Sequence, residues 1–217
     1  MINRYTIYSP KAEIEKLFKI EFNQITENNP HYNAGPGGTF PIIIAGKNRE
    51  RTLVKAIWST DSFAISSAKT SILKEDFIKN VPLQKTFQRK RCLILMNGYF
   101  DWKKITENIQ LAFYFRLLNT DLFVVAGLYE SENELATLNF LPIETESNEI
   151  VEPLSTNMPA IIDFSDIDTW LDPLSNDTDE LFEMIKPLKT SEMSSYRVAL
   201  KREDRESNSK EVIQPLV

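Results

Sequence analysis

Apolar positions along the chain fall into short runs separated by polar breakers, and the runs carry two different periods. Residues 3–8 alternate loosely and predict a short opening strand. Ser9-Pro10 follows, a pair suited to the N-cap and first position of a helix. Ile14, Leu17, Phe18, Phe22 and Ile25 then share one face at helical spacing, so the helix is expected to dock on the core and to stop at Asn28-Asn29-Pro30. Residues 40–45 and 52–58 read as paired strands around the charged turn 46–51. A short helix is expected over 71–79, with Ile72, Leu73, Phe77 and Ile78 inward.

The pattern is densest between Arg91 and Lys104. An apolar run, Cys92-Leu93-Ile94-Leu95-Met96, meets Asn97-Gly98, the commonest pair for a tight hairpin turn with positive φ. A second, aromatic strand should follow. Asp101 sits between Phe100 and Trp102, so alternation puts it on the opposite face from both. Residues 111–118 and 122–129 predict another hairpin, around Asn119-Thr120-Asp121. A strand is expected at 135–143, an acidic linker at 144–152, short helices at 166–170 and 179–185, and a strand near 196–199. A charged loop, 201–210, precedes the final apolar residues. Many short strands with few, scattered helices argue for an α+β fold with a largely antiparallel, curled sheet. No internal repeat or composition break divides the chain, so residues 1–217 are expected to form a single domain.

Composition narrows the chemistry. A net charge of −6 argues against broad affinity for nucleic acid but leaves room for a local basic groove. One cysteine excludes an intramolecular disulfide framework, and one cysteine with one histidine gives no Cys/His metal set, so neither a metal nor a cofactor is expected. No signal pattern and no membrane-length apolar run are present, which leads to the expectation of a cytoplasmic protein. The Gly-rich loop 31–38 lacks the lysine and helix start of a phosphate-binding P-loop. His31, the lone histidine, reads as a solvated or hydrogen-bonded loop residue. Lys85, Arg89, Lys90 and Arg91 form a basic cluster that is either solvated surface or a phosphate contact.

Several segments together resemble one family. Arg91-Cys92-Leu93 with Gly98-Tyr99-Phe100-Asp101-Trp102-Lys103 is similar to the Arg-Cys-Leu…Gly-Phe-Tyr-Glu-Trp-Lys segment of the SRAP family, the SOS-response-associated peptidases or abasic-site processing proteins. Tyr32-Asn33-Ala34-Gly35-Pro36, Ala126-Gly127-Leu128-Tyr129-Glu130, Met158-Pro159-Ala160-Ile161-Ile162 and Ile213-Gln214-Pro215-Leu216 resemble further segments in the same order. The resemblance implies a barrel-like sheet with peripheral helices and a groove for single-stranded DNA. It also implies a site in which a cysteine at position two condenses with the aldehyde of an abasic site, surrounded by an Asn, a Glu and a His.

Here those four positions read Ile2, Ser67, Asp101 and Ser155. Ile2 supplies no thiol nucleophile, and Cys92 lies in an apolar run where a thiol is inert. Ser155 cannot shuttle protons as imidazole does, and Asp101 keeps the charge with a shorter reach. Arg4, Asn33, Trp58, Lys69 and Asn157 remain as candidates for DNA contact, Trp58 by stacking on a base. Three functions follow as alternatives. The first is a protein that binds single-stranded or damaged DNA and has lost the covalent chemistry. The second is a family-type peptidase or abasic-site lyase that uses Asp101 and the Met1 amine. The third is an interaction module with no nucleic-acid role.

Overall fold

The computed structural model describes residues 2–63, 65–107, 109–131 and 137–216. The strands are β1 (Arg4–Ile7), β2 (Phe22–Asn23), β3 (His31–Ala34), β4 (Thr39–Ala45), β5 (Arg51–Trp58) and β6 (Ile72–Leu73), then β7 (Arg91–Met96) and β8 (Gly98–Lys104). They continue as β9 (Gln110–Leu117), β10 (Phe123–Glu130), β11 (Leu138–Glu146), β12 (Asn157–Pro159) and β13 (Met193–Val198). Helices are short: α1 (Lys11–Phe18), α2 (Lys74–Lys79), α3 (Val81–Arg89), α4 (Ile167–Leu171) and α5 (Thr178–Met184).

Two sheets share the chain. In one, the order β11-β10-β7-β4-β5 closes on itself through a parallel β5–β11 pairing, which makes a ring. In the other, the order is β13-β9-β8-β1-β3. The fold is α+β with mostly antiparallel pairing, as the strand-rich pattern predicts. The ring packs around a largely apolar core: β7 buries all six of its residues, five of them apolar. A smaller cluster of Phe100, Trp102, Ala112, Tyr114, Val198 and Leu200 lies on the other face of β8. Tyr99 belongs to the main core, so β8 has two buried faces and Asp101 shares the Tyr99 face. Among the described residues no helix is long and apolar enough to cross a membrane.

Of the hairpins expected from the sequence, β4–β5 forms around the charged turn, whereas the two at Asn97-Gly98 and 119–121 are absent. β7 pairs with β4 and β10, whereas β8 pairs with β1 and β9, so the chain changes sheet at Asn97-Gly98. Gly98 does not take positive φ. Asn97 acts as the corner: its Nδ2 donates to Ser9 Oγ (2.9 Å) and to the Asp121 carbonyl (2.6 Å), and its Oδ1 accepts from Tyr8 N–H (2.7 Å) and Ser9 N–H (3.2 Å). The 118–122 segment is the matching crossover, since β9 pairs with β8 and β13 while β10 pairs with β7 and β11. One amide therefore ties the two crossovers together. A hairpin that the pattern does not predict joins β8 to β9.

Two other elements differ from the pattern. α1 stops at Phe18, where Lys19 takes a left-handed cap at φ 50 and the Arg51 guanidinium donates to the Phe18 carbonyl at 2.7 Å. The residues beyond then bond the edge of β5, with Glu21 N–H on the Arg51 carbonyl and Gln24 N–H on the Leu53 carbonyl. An open strand edge that needs partners outweighs the helical spacing of Phe22 and Ile25. The expected helix 71–79 begins as β6 and becomes helical only at Lys74, and a further helix, α3, carries Lys85 and Arg89 of the basic cluster, while Arg91 opens β7. The expected strand start at Leu135 lies outside the described residues.

Candidate functional site

The site gathers around the N-terminal strand. Ile2 is 4 % exposed, and both of its backbone groups are engaged. Its N–H donates to the Glu144 carboxylate, and its carbonyl accepts from Thr70 Oγ1 at 2.7 Å. Ser71 Oγ also donates to Glu144, at 2.9 Å. Glu144 was expected in an acidic linker; it instead continues β11, only 1 % exposed, with its side chain in the core. The sequence signal for it is its place directly after the apolar run Phe140-Leu141-Pro142-Ile143.

Asp101, on β8, is half-buried. Burial raises its carboxyl above the usual range, while the Trp102 N–H, the Ser155 hydroxyl and Arg202 favour the charged form. The Trp102 N–H bond is 2.8 Å. Asp101 and Glu144 both push up the Tyr99 phenol, whose largest perturbation is its own burial. The structure thus brings together Ile2, Asp101 and Ser155, and adds Thr70, Ser71 and Glu144. Ser67 is exposed in the segment between β5 and β6, and its hydroxyl makes no hydrogen bond among the described residues. Met1 lies outside the described residues.

Arg4 opens β1 and pairs with Phe100 of β8, on the face opposite Tyr5 and Tyr99. It is 6 % exposed, and its Nη1 donates to the Asn3 carbonyl at 2.6 Å. Its guanidinium lies on Gly35, where a Cβ would sit 2.6 Å from Nη1. Among the described residues Arg4 makes no ion pair. Burial, then the like charges of Arg205 and Arg202, favour its neutral form, and Asp204 opposes them. Asn33, on β3, is 9 % exposed; its Nδ2 donates to the Asp204 carbonyl at 2.9 Å, and its Oδ1 has no hydrogen-bond partner among the described residues.

Other sequence candidates are used differently. Trp58 is 1 % exposed, packed against Tyr5 and Phe140, with its indole N–H on the Thr70 carbonyl at 2.7 Å. That corrects the stacking expectation, because no open ring face remains for a base. Lys69 pairs with Asp76 at the start of α2. Asn157 Oδ1 accepts from Thr156 Oγ1 at 2.9 Å. In the basic cluster, Arg91 is 2 % exposed and donates to the Trp170, Phe87, Asp172 and Ser175 carbonyls, which anchors α4 to β7. Burial lowers its pKa to about 10. Lys90 pairs with Glu130 at 2.5 Å, so only Lys85 and Arg89 stay exposed and unpaired among the described residues. His31 sets its edge on Phe40, with ring centroids 5.1 Å apart. The only thiol, Cys92, is fully buried, and burial pushes its pKa well up. Among the described residues no cluster of His, Cys, Asp and Glu could hold a metal.

Comparison with known proteins agrees with this architecture. A family model described as SOS response associated peptidase (SRAP) matches residues 1–202. The chain is 28 % identical over 228 residues to the abasic site processing protein YoqW of Bacillus subtilis, covering 99 % of both. It is 23 % identical over 197 residues to the abasic site processing protein HMCES of Xenopus tropicalis, covering 74 % of this chain and 59 % of that protein. A crystal structure of a protein from Bacteroides thetaiotaomicron superposes with a TM-score of 0.81 at 16 % identity, over 99 % of each chain.

Proposed function

This chain belongs to the SOS response associated peptidase (SRAP) family, and from that premise we propose that it serves DNA-damage handling by binding single-stranded or abasic-site DNA without a thiol-dependent cross-link. The observation that carries the reading is Arg4, an arginine 6 % exposed with no ion pair among the described residues. A buried guanidinium without a carboxylate is costly by itself and suits an anion that is not part of the chain. Asn33, with a buried acceptor oxygen, stands beside it on β3. Relatives named as abasic site processing proteins point to DNA as that anion.

The covalent step has no thiol. Ile2 occupies the position where the family resemblance puts cysteine, and its backbone is held by Glu144 and Thr70. Cys92 is buried inside β7. Asp101 favours a second reading in one respect: a carboxyl raised by burial is suited to general acid-base work on an imine. That imine would form between a substrate aldehyde and an amine, with loss of water.

Fluorescence anisotropy with a labelled single strand, intact or carrying an abasic site, tests the first reading. Binding that weakens as salt rises is expected, with no band surviving a denaturing gel. Absence of binding at low salt overturns it and leaves the interaction-module reading. A denaturation-resistant band that appears only with a hydride reductant supports the amine-based enzyme.

A further inference from the structure

The loop 201–209 is fixed against the site by contacts that the function above does not use. Asn33 Nδ2 donates to the Asp204 carbonyl at 2.9 Å, which sets the loop on β3. Asn208 bonds the start of the same strand: its Oδ1 accepts from Tyr32 N–H at 2.6 Å, and its Nδ2 donates to the Pro30 carbonyl at 3.3 Å. Beyond the loop, the 3-10 turn Lys210–Ile213 buries Val212 and Ile213, and Tyr196 Oη donates to the Ile213 carbonyl at 3.0 Å.

The loop also engages one of its three carboxylates internally. Asp204 accepts from Glu206 N–H (3.1 Å), Ser207 N–H (3.0 Å) and Ser207 Oγ (2.6 Å). The loop leaves Arg202 and Arg205 exposed, next to the exposed Glu203 and Glu206. Both arginines bear on Arg4 as like charges, and Arg202 also bears on Asp101. Among the described residues none of the three arginines makes an ion pair. Guanidinium groups brought together repel one another, and an anion between them removes that cost. Their planar forks match phosphate oxygens. The unpartnered Asn33 Oδ1, nine-tenths buried beside the loop, is a second polar group awaiting a ligand.

We propose that the loop 201–209 is a second wall of the nucleic-acid groove, with Arg202 and Arg205 joining Arg4 on the phosphodiester groups of a single strand. The inference rests on the DNA-binding reading above. It adds residues at and past the end of the family match, which stops at residue 202.

Salt titration of the full chain with a labelled oligothymidylate tests it, comparing wild type, R202Q/R205Q and R202K/R205K. For single strands each phosphate contact contributes about 0.7 to the slope of log affinity against log salt, so the glutamine pair should flatten it by about 1.4. Affinity at low salt should fall about tenfold, and the lysine pair should keep most of the slope. Melting curves establish that both variants fold, as expected for exposed side chains. If wild type binds and the glutamine pair leaves the slope unchanged, the loop proposal fails while the DNA reading stands. If wild type does not bind, both fail. Displacement of the strand by inorganic phosphate beyond the effect of chloride at equal ionic strength also overturns the proposal, by pointing to a pocket for free phosphate.

Discussion

Glu144 accepts the backbone N–H of Ile2 across 142 positions of sequence, inside a site where the carboxylate is 1 % exposed. The contact locks the N-terminal strand onto β11, and Ser71 shares the same oxygen. Replacing Glu144 by Ala strips two buried donors of their acceptor. We expect a loss of about 2–4 kcal/mol, a fall in Tm of roughly 5–10 °C for a chain of this size. Glu144→Gln keeps a carbonyl oxygen and should lose less. Thermal melts that place E144A level with wild type would mean that Ile2 is not anchored there.

Asp101 predicts a pH dependence. Burial raises its folded-state pKa above the unfolded value, so the folded chain holds the proton more tightly. The Asp101 contribution is then most favourable below the unfolded pKa near 3.8 and is lost as pH rises through the raised folded value. Asp101→Asn removes this dependence. Chemical denaturation at several pH values should show D101N gaining on wild type as pH climbs from about 3 to 7. A constant difference across that range would refute the assignment.

Gly98 is required by contact, not by turn geometry. A Cβ there would lie 2.3 Å from the Tyr114 ring and hydroxyl and 2.6 Å from the Phe115 carbonyl. Tyr114 cannot swing away freely, because its hydroxyl is 2.7 Å from Thr6 Oγ1. Gly98→Ala should cost about 2–3 kcal/mol by overpacking. Urea unfolding checks this; an unchanged midpoint counts against it.

Cys92 should be silent toward thiol reagents in the native protein. It is fully buried in β7, and burial holds its thiol protonated. A disulfide-exchange dye should register one thiol per chain after denaturation and close to none before. Rapid native labelling would show that the ring opens readily.

Much of the strand inventory is legible in the residues. The apolar runs at 40–45, 52–58, 92–96 and 122–129 become β4, β5, β7 and β10 with ends shifted by a residue or so. Side-chain alternation also places Asp101 opposite Phe100 and Trp102, and the two faces of β8 do enter different clusters. These are local properties: period and β-branching decide what a segment can form and which side it buries. The collinear segments that resemble the SRAP family are equally readable, because they are spelled in the chain.

Pairing and site assembly are not local. Asn97-Gly98 spells a hairpin, yet the Asn97 amide finds better partners in Tyr8, Ser9 and Asp121, and Gly98 is needed for the Tyr114 ring to approach. Glu144 reads as linker acid until the ring brings Ile2 and Ser71 to it. Trp58 reads as an open stacking surface until β11 and β1 cover it with Phe140 and Tyr5. Arg202 and Arg205 read only as part of a charged loop until Asn33 and Asn208 fix that loop on β3. The sequence by itself determined most of the elements, the faces they bury and an isoleucine at position two. Only tertiary structure decided which polar groups meet, because a buried donor or acceptor takes whichever partner the closed sheet brings within reach.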